Sequence, residues 1–420
     1  MSNTQKTPLI PFILITSLFL LWGLANNMTD TLLAAFKKIM SMTDAQTSHI
    51  QLAFYGSYFC LALPAAILIK KYSYKTGILL GLGMFAVGAL LFYPASHTMV
   101  YGHFLAALFI LAGGLSILET TANPYIIAIG SEETGTRRLN FAQSFNPIGS
   151  LLGVFLSKTF ILSQLNVASA EERATMPAEE LFATQSAELE AVMGPYVSIA
   201  IILILLWVII YFYNMPTASD EDKSINLMPS IKRLMQKSHY VSGVVAQFFY
   251  VGAQIGVWSY TIRYVMVELN LDEDNASDYY MVALGVFMAF RFVSTFLMKF
   301  LSPARLLAGA SIMAIFLTLM VMYGEGYTGV YALVAISACM SLMFPTIYGM
   351  SIRGLGEDTK IGASGLIMAI LGGAVLTFIQ GQVSDETGSI HFSFVVPMLC
   401  FVIILLYAIV GKRWRIQENQ

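Results

Sequence analysis

The sequence predicts an all-α integral membrane protein, with twelve transmembrane helices arranged as two six-helix bundles. Three observations predict it. Hydrophobic residues make up 57% of the 420-residue chain and charged residues 11%, where a soluble globular protein carries about 25% charged residues. Mean hydropathy is +0.71. The apolar residues are gathered into twelve runs, and a run of about 20 residues crosses a bilayer as a helix.

Span 1 (residues 9–36) follows a short polar N-terminus and continues well past the length of a signal-peptide core, so no cleavable leader is expected. Span 2 (47–69) ends at Lys70 and Lys71, and Lys75 precedes span 3 (76–95). Span 4 (101–129) carries Pro124, expected to break it, and gives way to Gly130-Ser-Glu-Glu-Thr-Gly-Thr-Arg137-Arg138. Span 5 (139–164) leads into the acidic segment 165–190, with Glu171, Glu172, Glu179, Glu180, Glu188 and Glu190, read as a solvated external loop with room for a surface helix. Span 6 (192–214) closes the first bundle, residues 1–214. Residues 215–238 form the expected linker, with Asp220-Glu-Asp-Lys223 and Lys232-Arg233. The second bundle, 239–420, holds spans 7 (240–267), 8 (277–299), 9 (304–323), 10 (327–352), 11 (361–383) and 12 (391–410). It repeats landmarks of the first: Lys299 and Arg305 follow span 8, Pro345 interrupts span 10, and Gly356-Glu-Asp-Thr-Lys360 follows it. Six plus six helices with repeat-like landmarks is the pattern of secondary transporters, whose substrate site lies near the midplane between the halves.

The basic residues orient the chain. Seventeen of the 23 Lys and Arg fall at one face, among them Lys6, Lys70, Lys71, Lys75, Arg137, Arg138, Lys299, Arg305, Arg353, Lys360 and Lys412. The other face has Lys37, Lys38, Lys158 and Arg173. The positive-inside bias therefore places both termini in the cytoplasm. Arg263 and Arg291 lie inside spans and are expected to act in gating or packing. The net charge of −2 and the absence of a basic tract give no reason to expect nucleic acid. Cys60, Cys339 and Cys400 lie in apolar runs without metal-ligand spacing, and the histidines at 49, 97, 103, 239 and 391 are scattered. An embedded enzyme is not favoured, no metal or organic cofactor is expected, and without a cytosolic signalling domain a sensor is a weaker alternative.

Glu119 is the most informative residue. It is the only ionisable group of span 4 besides His103 near one end, and a rise of about 1.5 Å per residue puts it near mid-span. A carboxylate there costs a few kcal/mol or more unless protonated, paired or facing a wet cavity, and such residues usually serve substrate, ion or proton movement. Other polar residues share helix faces: Asn26, Asn27 and Asp30 in span 1; Gln51, Tyr55 and Tyr58 in span 2; Glu119 and Asn123 in span 4; Asn140, Gln143 and Asn146 in span 5; Gln247, Tyr250, Gln254 and Trp258 in span 7. Amides donate and accept, so they satisfy several hydroxyls of one ligand, and aromatic faces suit the apolar face of a sugar ring. Amides, aromatics and one carboxylate describe a neutral polyol site, not an anion site. The rival reading is that these groups join helices to one another. For Glu119 that reading is an ion pair with Arg263 or Arg291, and for Asp30 a pair with Lys37 or Lys38.

At these residues the chain resembles the L-fucose:proton symporter family of the major facilitator superfamily, almost end to end. The resemblance rests on Leu21-Trp-Gly-Leu-Ala-Asn-Asn-Met-Thr-Asp30, Leu118-Glu-Thr-Thr-Ala-Asn-Pro-Tyr125, Arg138-Leu-Asn-Phe-Ala-Gln-Ser-Phe-Asn146, Tyr250-Val-Gly-Ala-Gln254, Trp258-Ser-Tyr-Thr-Ile-Arg-Tyr264, Phe344-Pro-Thr-Ile347 and Leu355-Gly-Glu-Asp-Thr-Lys360. It implies a major facilitator fold, a location in the bacterial inner membrane, a monomer, and a neutral monosaccharide and protons as partners. It also implies that Asp30 and Glu119 couple the proton, with Asn27, Glu119, Gln143 and Asn146 at the sugar. Related glucose/galactose carriers share much of the pattern but tend to carry glutamine at position 119. Two departures point toward that branch: Phe344 stands where the fucose branch typically has tyrosine, and span 11 carries Gln380. The implied mechanism is protonation of Glu119 from outside, by way of Asp30, since desolvation disfavours its charged form. Sugar binding and closure of the outer side would follow.

Overall fold

A computed structural model describes residues 7–39, 44–160, 170–216 and 226–417, and these are helical almost throughout. Among the described residues, eleven helices are long and apolar enough to cross a membrane. Spans 1 to 4 are Leu9–Ile39, Asp44–Lys71, Tyr74–Thr98 and Tyr101–Ala128. Span 5 consists of two shorter helices, Gly135–Gln143 and Phe145–Phe160, and completes twelve. Span 6 is Ala178–Phe212, and after the short helix Leu227–Gln236 come spans 7, Ser238–Leu269, 8, Glu273–Leu297, and 9, Pro303–Tyr323. Span 10 is broken into Tyr327–Met340 and Met343–Ile352. Span 11 bends at Ala369–Leu371 between Thr359–Met368 and Gly372–Thr387, and span 12 is mainly Val395–Gln417.

Two expectations about breaks and loops change. Pro124 does not interrupt span 4, which runs unbroken past it. Span 10 does break as expected, one turn ahead of Pro345 at Ser341–Leu342, and span 5 breaks one turn ahead of Pro147, at Ser144. A proline has no N–H and its ring crowds the carbonyl four residues earlier. Those carbonyls belong to Gln143 and Ser341, and both find another partner, described below. Residues 178–190, expected in a loop, are the first turns of span 6. They are anchored by Arg173, on the short helix Ala170–Thr175, whose Nη1 donates to Glu188 Oε2 at 2.8 Å in a buried ion pair. The rest of segment 165–190 lies partly outside the described residues.

Spans 1–6 pack mainly as 3 on 4, 1 on 5, 2 on 4 and 3 on 6. Spans 7–12 pack as 9 on 12, 7 on 11, 7 on 12, 9 on 10 and 8 on 10. With lipid as solvent, close van der Waals approach replaces the hydrophobic drive, so small residues mark the tight crossings. A Cβ on Gly81 would lie 3.0 Å from Gly114 O across spans 3 and 4, and Gly23 and Gly149 leave no room for a Cβ where spans 1 and 5 cross. Polar tips tie span 6 to spans 3 and 1: Trp207 Nε1 donates to Leu79 O at 2.9 Å, and Tyr196 Oη to Met28 O at 2.7 Å.

The first and last six spans meet where span 2 packs on 11, 4 on 11, 5 on 10 and 5 on 8. Toward the face rich in Lys and Arg the meeting is tight. Asn140 Nδ2 donates to Thr346 Oγ1 at 3.3 Å, Gly354 N donates to Glu132 Oε1 at 3.2 Å, and the Phe145 and Phe292 rings meet edge to face at 6.1 Å.

Candidate functional site

Between the two sets of helices lies a cavity of about 600 Å³, within the range of about 300–1,000 Å³ usual for small-molecule sites. Span 1 contributes Phe19, Trp22, Asn26 and Asn27, span 2 contributes Tyr55, and span 5 contributes Gln143, Asn146 and Ser150. The opposite wall carries Gln254, Trp258 and Ser259 of span 7, Tyr280 and Phe287 of span 8, Phe344 of span 10 and Thr377 of span 11. Glu119 is the one acidic residue among its described lining residues, and it is only 6% exposed.

The contacts of Glu119 decide between its two readings. Tyr58 Oη donates to Glu119 Oε1 at 3.0 Å, from a position buried behind Tyr55. Among the described residues no cation lies within ion-pair distance of Glu119. Arg291 is spent elsewhere and Arg263 sits on the exposed side of span 7. The rival reading, a Glu119–arginine pair, is therefore not met among the described residues. The carboxyl stands on the cavity wall with a neutral hydrogen-bond partner and, among the described residues, no counter-charge.

Beside it, Gln143 Nε2 donates to Asn123 Oδ1 at 2.8 Å, and Asn123 is itself fully buried behind the wall. The Asn123 amide nitrogen and Asn26 Oδ1 have no partner among the described residues, so the polar cluster retains hydrogen-bonding capacity. Asn146 Nδ2 donates to Phe19 O at 3.3 Å, holding spans 5 and 1 together at the cavity edge. On the far wall Trp258 meets Phe287 edge to face at 5.0 Å, and Trp258 Nε1 donates to Ser337 Oγ at 3.3 Å, which fixes the indole plane.

The floor toward the basic face is closed by Arg291, 4% exposed. Its Nη1 donates to Gln143 O at 3.0 Å and its Nε to Ser341 O at 2.6 Å, while the guanidinium stands over the Phe287 ring at 4.7 Å. The two acceptors are the carbonyls left without helix donors by Pro147 and Pro345. One arginine thus satisfies a break in span 5 and a break in span 10, and in doing so joins the two sets of helices beneath the cavity.

Not every expected residue reaches the cavity. Tyr250 is fully buried and its hydroxyl donates to Met340 O at 3.1 Å. Gln247 is fully buried with both amide atoms unpartnered among the described residues, and Gln380 is likewise buried, against Gly256. These three are not among the cavity-lining residues. The side chains of Asp30 and Gln51 lie outside the described residues. Tyr58 joins the site through its bond to Glu119. Its membership of the span 2 stripe was visible in sequence, but its pairing with Glu119 was not.

A polar cavity at the joint of two six-helix sets, closed toward one membrane face, is the construction of a membrane transporter. The profile of the Major Facilitator Superfamily matches residues 13–375. The L-fucose-proton symporter of Haemophilus influenzae is 40% identical, covering 98% of each chain. The glucose/galactose transporter of Brucella abortus is 32% identical over 98% of this chain and 96% of its own. Among solved structures, the major facilitator transporter FucP in the outward conformation superposes with a TM-score of 0.91 at 39% identity, covering 97% of this chain and 99% of that one. The chain belongs to the Major Facilitator Superfamily.

Proposed function

We propose that this protein is an L-fucose:proton symporter of the bacterial cytoplasmic membrane. The observation that carries the reading is Glu119, a buried carboxyl on the cavity wall with a tyrosine hydroxyl and no cation beside it. The 40% identity to a protein named an L-fucose-proton symporter supports the choice of sugar and of coupling ion. In this reading the basic face and both termini are cytoplasmic, the protein works as a monomer, and the cavity opens outward, as in the FucP structure it resembles. Residues 1–214 and 239–420 rock about the cavity, joined by the linker 215–238.

The cycle follows from the groups present. A proton taken by Glu119 from the outer side, with Asp30 as an entry group, removes the charge from the wall and leaves a carboxylic acid able to donate to a sugar hydroxyl. Asn27, Gln143 and Asn146 supply further donors and acceptors, and the Trp258 and Phe344 rings face the apolar side of the sugar. Opening inward requires breaking the Arg291–Gln143 bond, and coupling requires that proton and sugar together favour that transition. A second reading, uptake of glucose or galactose, is favoured by Phe344 on the cavity wall. Gln380, the other departure toward that branch, is buried and is not among the residues lining the cavity. Competition of labelled L-fucose uptake by L-fucose, D-galactose and D-glucose separates the two. Inhibition by L-fucose alone supports the proposal, and labelled galactose entering where fucose does not would replace it with the second reading.

A further inference from the structure

A second cavity, of about 450 Å³, opens at the basic face outside the sugar site, where spans 1 and 5 face span 8. Its walls are aromatic: Phe12, Phe141, Phe292 and Phe296. The last three are 40%, 36% and 54% exposed, so the groove is open on its outer side. Two cations stand at the rim, Arg137 and Lys299. Their neighbour Arg138 is wholly engaged, donating to Ile126 O at 2.7 Å and to Thr134 Oγ1 at 2.8 Å. Arg137 is half-buried and has no hydrogen-bond or ion-pair partner among the described residues. Lys299 Nζ lies over the Phe296 ring, 5.1 Å from its centre.

We propose that this groove binds one anionic phospholipid, its phosphate held between Arg137 and Lys299 and the start of an acyl chain laid against the four phenylalanines. The groove lies at the ends of its helices on the Lys- and Arg-rich face, the level of the headgroups, and its charge is complementary to phosphate. A guanidinium matches phosphate oxygens in a bidentate fashion, and the aromatic walls match hydrocarbon. The site is built from both sets of helices, next to the Phe145–Phe292 contact and one residue from Arg291. Inward opening would part span 5 from span 8 and dismantle it. A lipid that binds only the closed arrangement stabilises that arrangement, so membrane composition sets how readily the transporter opens inward.

The test compares phosphatidylglycerol with phosphatidylcholine. Native mass spectrometry of the full-length detergent-solubilised protein, titrated with each lipid, should show one phosphatidylglycerol retained roughly tenfold or more tightly, since each basic side chain near an anionic headgroup contributes about fivefold. The Arg137→Gln/Lys299→Gln double variant should lose that preference while its sugar affinity in phosphatidylcholine stays unchanged, because neither residue lines the sugar cavity. Equal retention of the two lipids by the unmodified protein would overturn the proposal without reference to any variant. So would an undiminished preference in the double variant. Distance measurements across the basic face should show the closed state gaining population in phosphatidylglycerol, and an unchanged distribution would remove the conformational half of the proposal.

Discussion

Replacing Arg291 with methionine isolates the joint beneath the cavity. The change keeps an apolar stem of similar reach against Phe287 and removes every donor. Both proline-freed carbonyls, Gln143 O and Ser341 O, then lose their described partner. Only the bond to Gln143 crosses between the first and last six spans, so only it weights the closed arrangement directly. A hydrogen bond to a charged donor contributes about 1.5–3 kcal/mol, which corresponds to roughly 10- to 150-fold in an equilibrium constant. The Asn140–Thr346 and Gly354–Glu132 bonds remain, so the closed state weakens without vanishing. Spin labels at Glu133 and Glu357, in a background with exposed Cys60 replaced by serine, report the separation across this face. The native distribution should be dominated by one short distance. Arg291→Met should raise a longer-distance population at least tenfold. An unchanged distribution in a variant that unfolds at the native temperature would refute the assignment of Arg291 as the tie between the halves.

Tyr58→Phe removes the described donor to Glu119 and should lower gradient-driven uptake by roughly tenfold or more with little change in thermal stability. Uptake at the native level would make the contact incidental. Arg173→Ala leaves Glu188 buried and unpaired at the start of span 6, which should cost about 3–5 kcal/mol and appear as a lower unfolding temperature, partly restored by adding Glu188→Gln. Gly149→Val places a branched side chain where span 1 backbone already lies, and should prevent accumulation of folded protein, whereas Gly285→Val, with open space around its Cβ position, should be tolerated. Sugar binding measured without a gradient should tighten as pH falls, because proton and sugar favour the same states in a symporter. A flat pH profile would argue for an uncoupled carrier.

Much of the fold was legible in sequence because a span announces itself by length and apolarity, and the basic residues mark one face. The exceptions have local causes. A proline signals a break, but whether a helix breaks there depends on what can take up the freed carbonyl. Span 4 runs through Pro124, while spans 5 and 10 yield one turn before Pro147 and Pro345, where Arg291 waits from a distant part of the chain. Residues 178–190 looked like a solvated loop because they are acidic, and the buried Arg173–Glu188 pair that makes them helical cannot be seen in composition. At the site, Asn26 and Asn27 of span 1, Glu119 of span 4 and Gln143 and Asn146 of span 5 line the cavity, whereas their stripe neighbours Asn123 and Asn140 do not. Span 7 is lined with polar groups on more than one face, and only packing decides that Gln254 and Trp258 reach the cavity while Gln247 and Tyr250 turn into the protein. The partnership of Tyr58 with Glu119 joins residues 61 apart in sequence, and no spacing rule predicts it.

The central claim is that Glu119 carries the coupled proton. Its most direct test is labelled L-fucose uptake into proteoliposomes under an inward gradient of one pH unit, comparing the native protein with Glu119→Gln. A carrier moving one proton per sugar concentrates its substrate up to about tenfold per pH unit. The native protein should accumulate fucose above the external concentration and lose that accumulation with a protonophore. Glu119→Gln should exchange fucose across the membrane yet bring it no higher than the external level. Undiminished accumulation by Glu119→Gln would contradict the account.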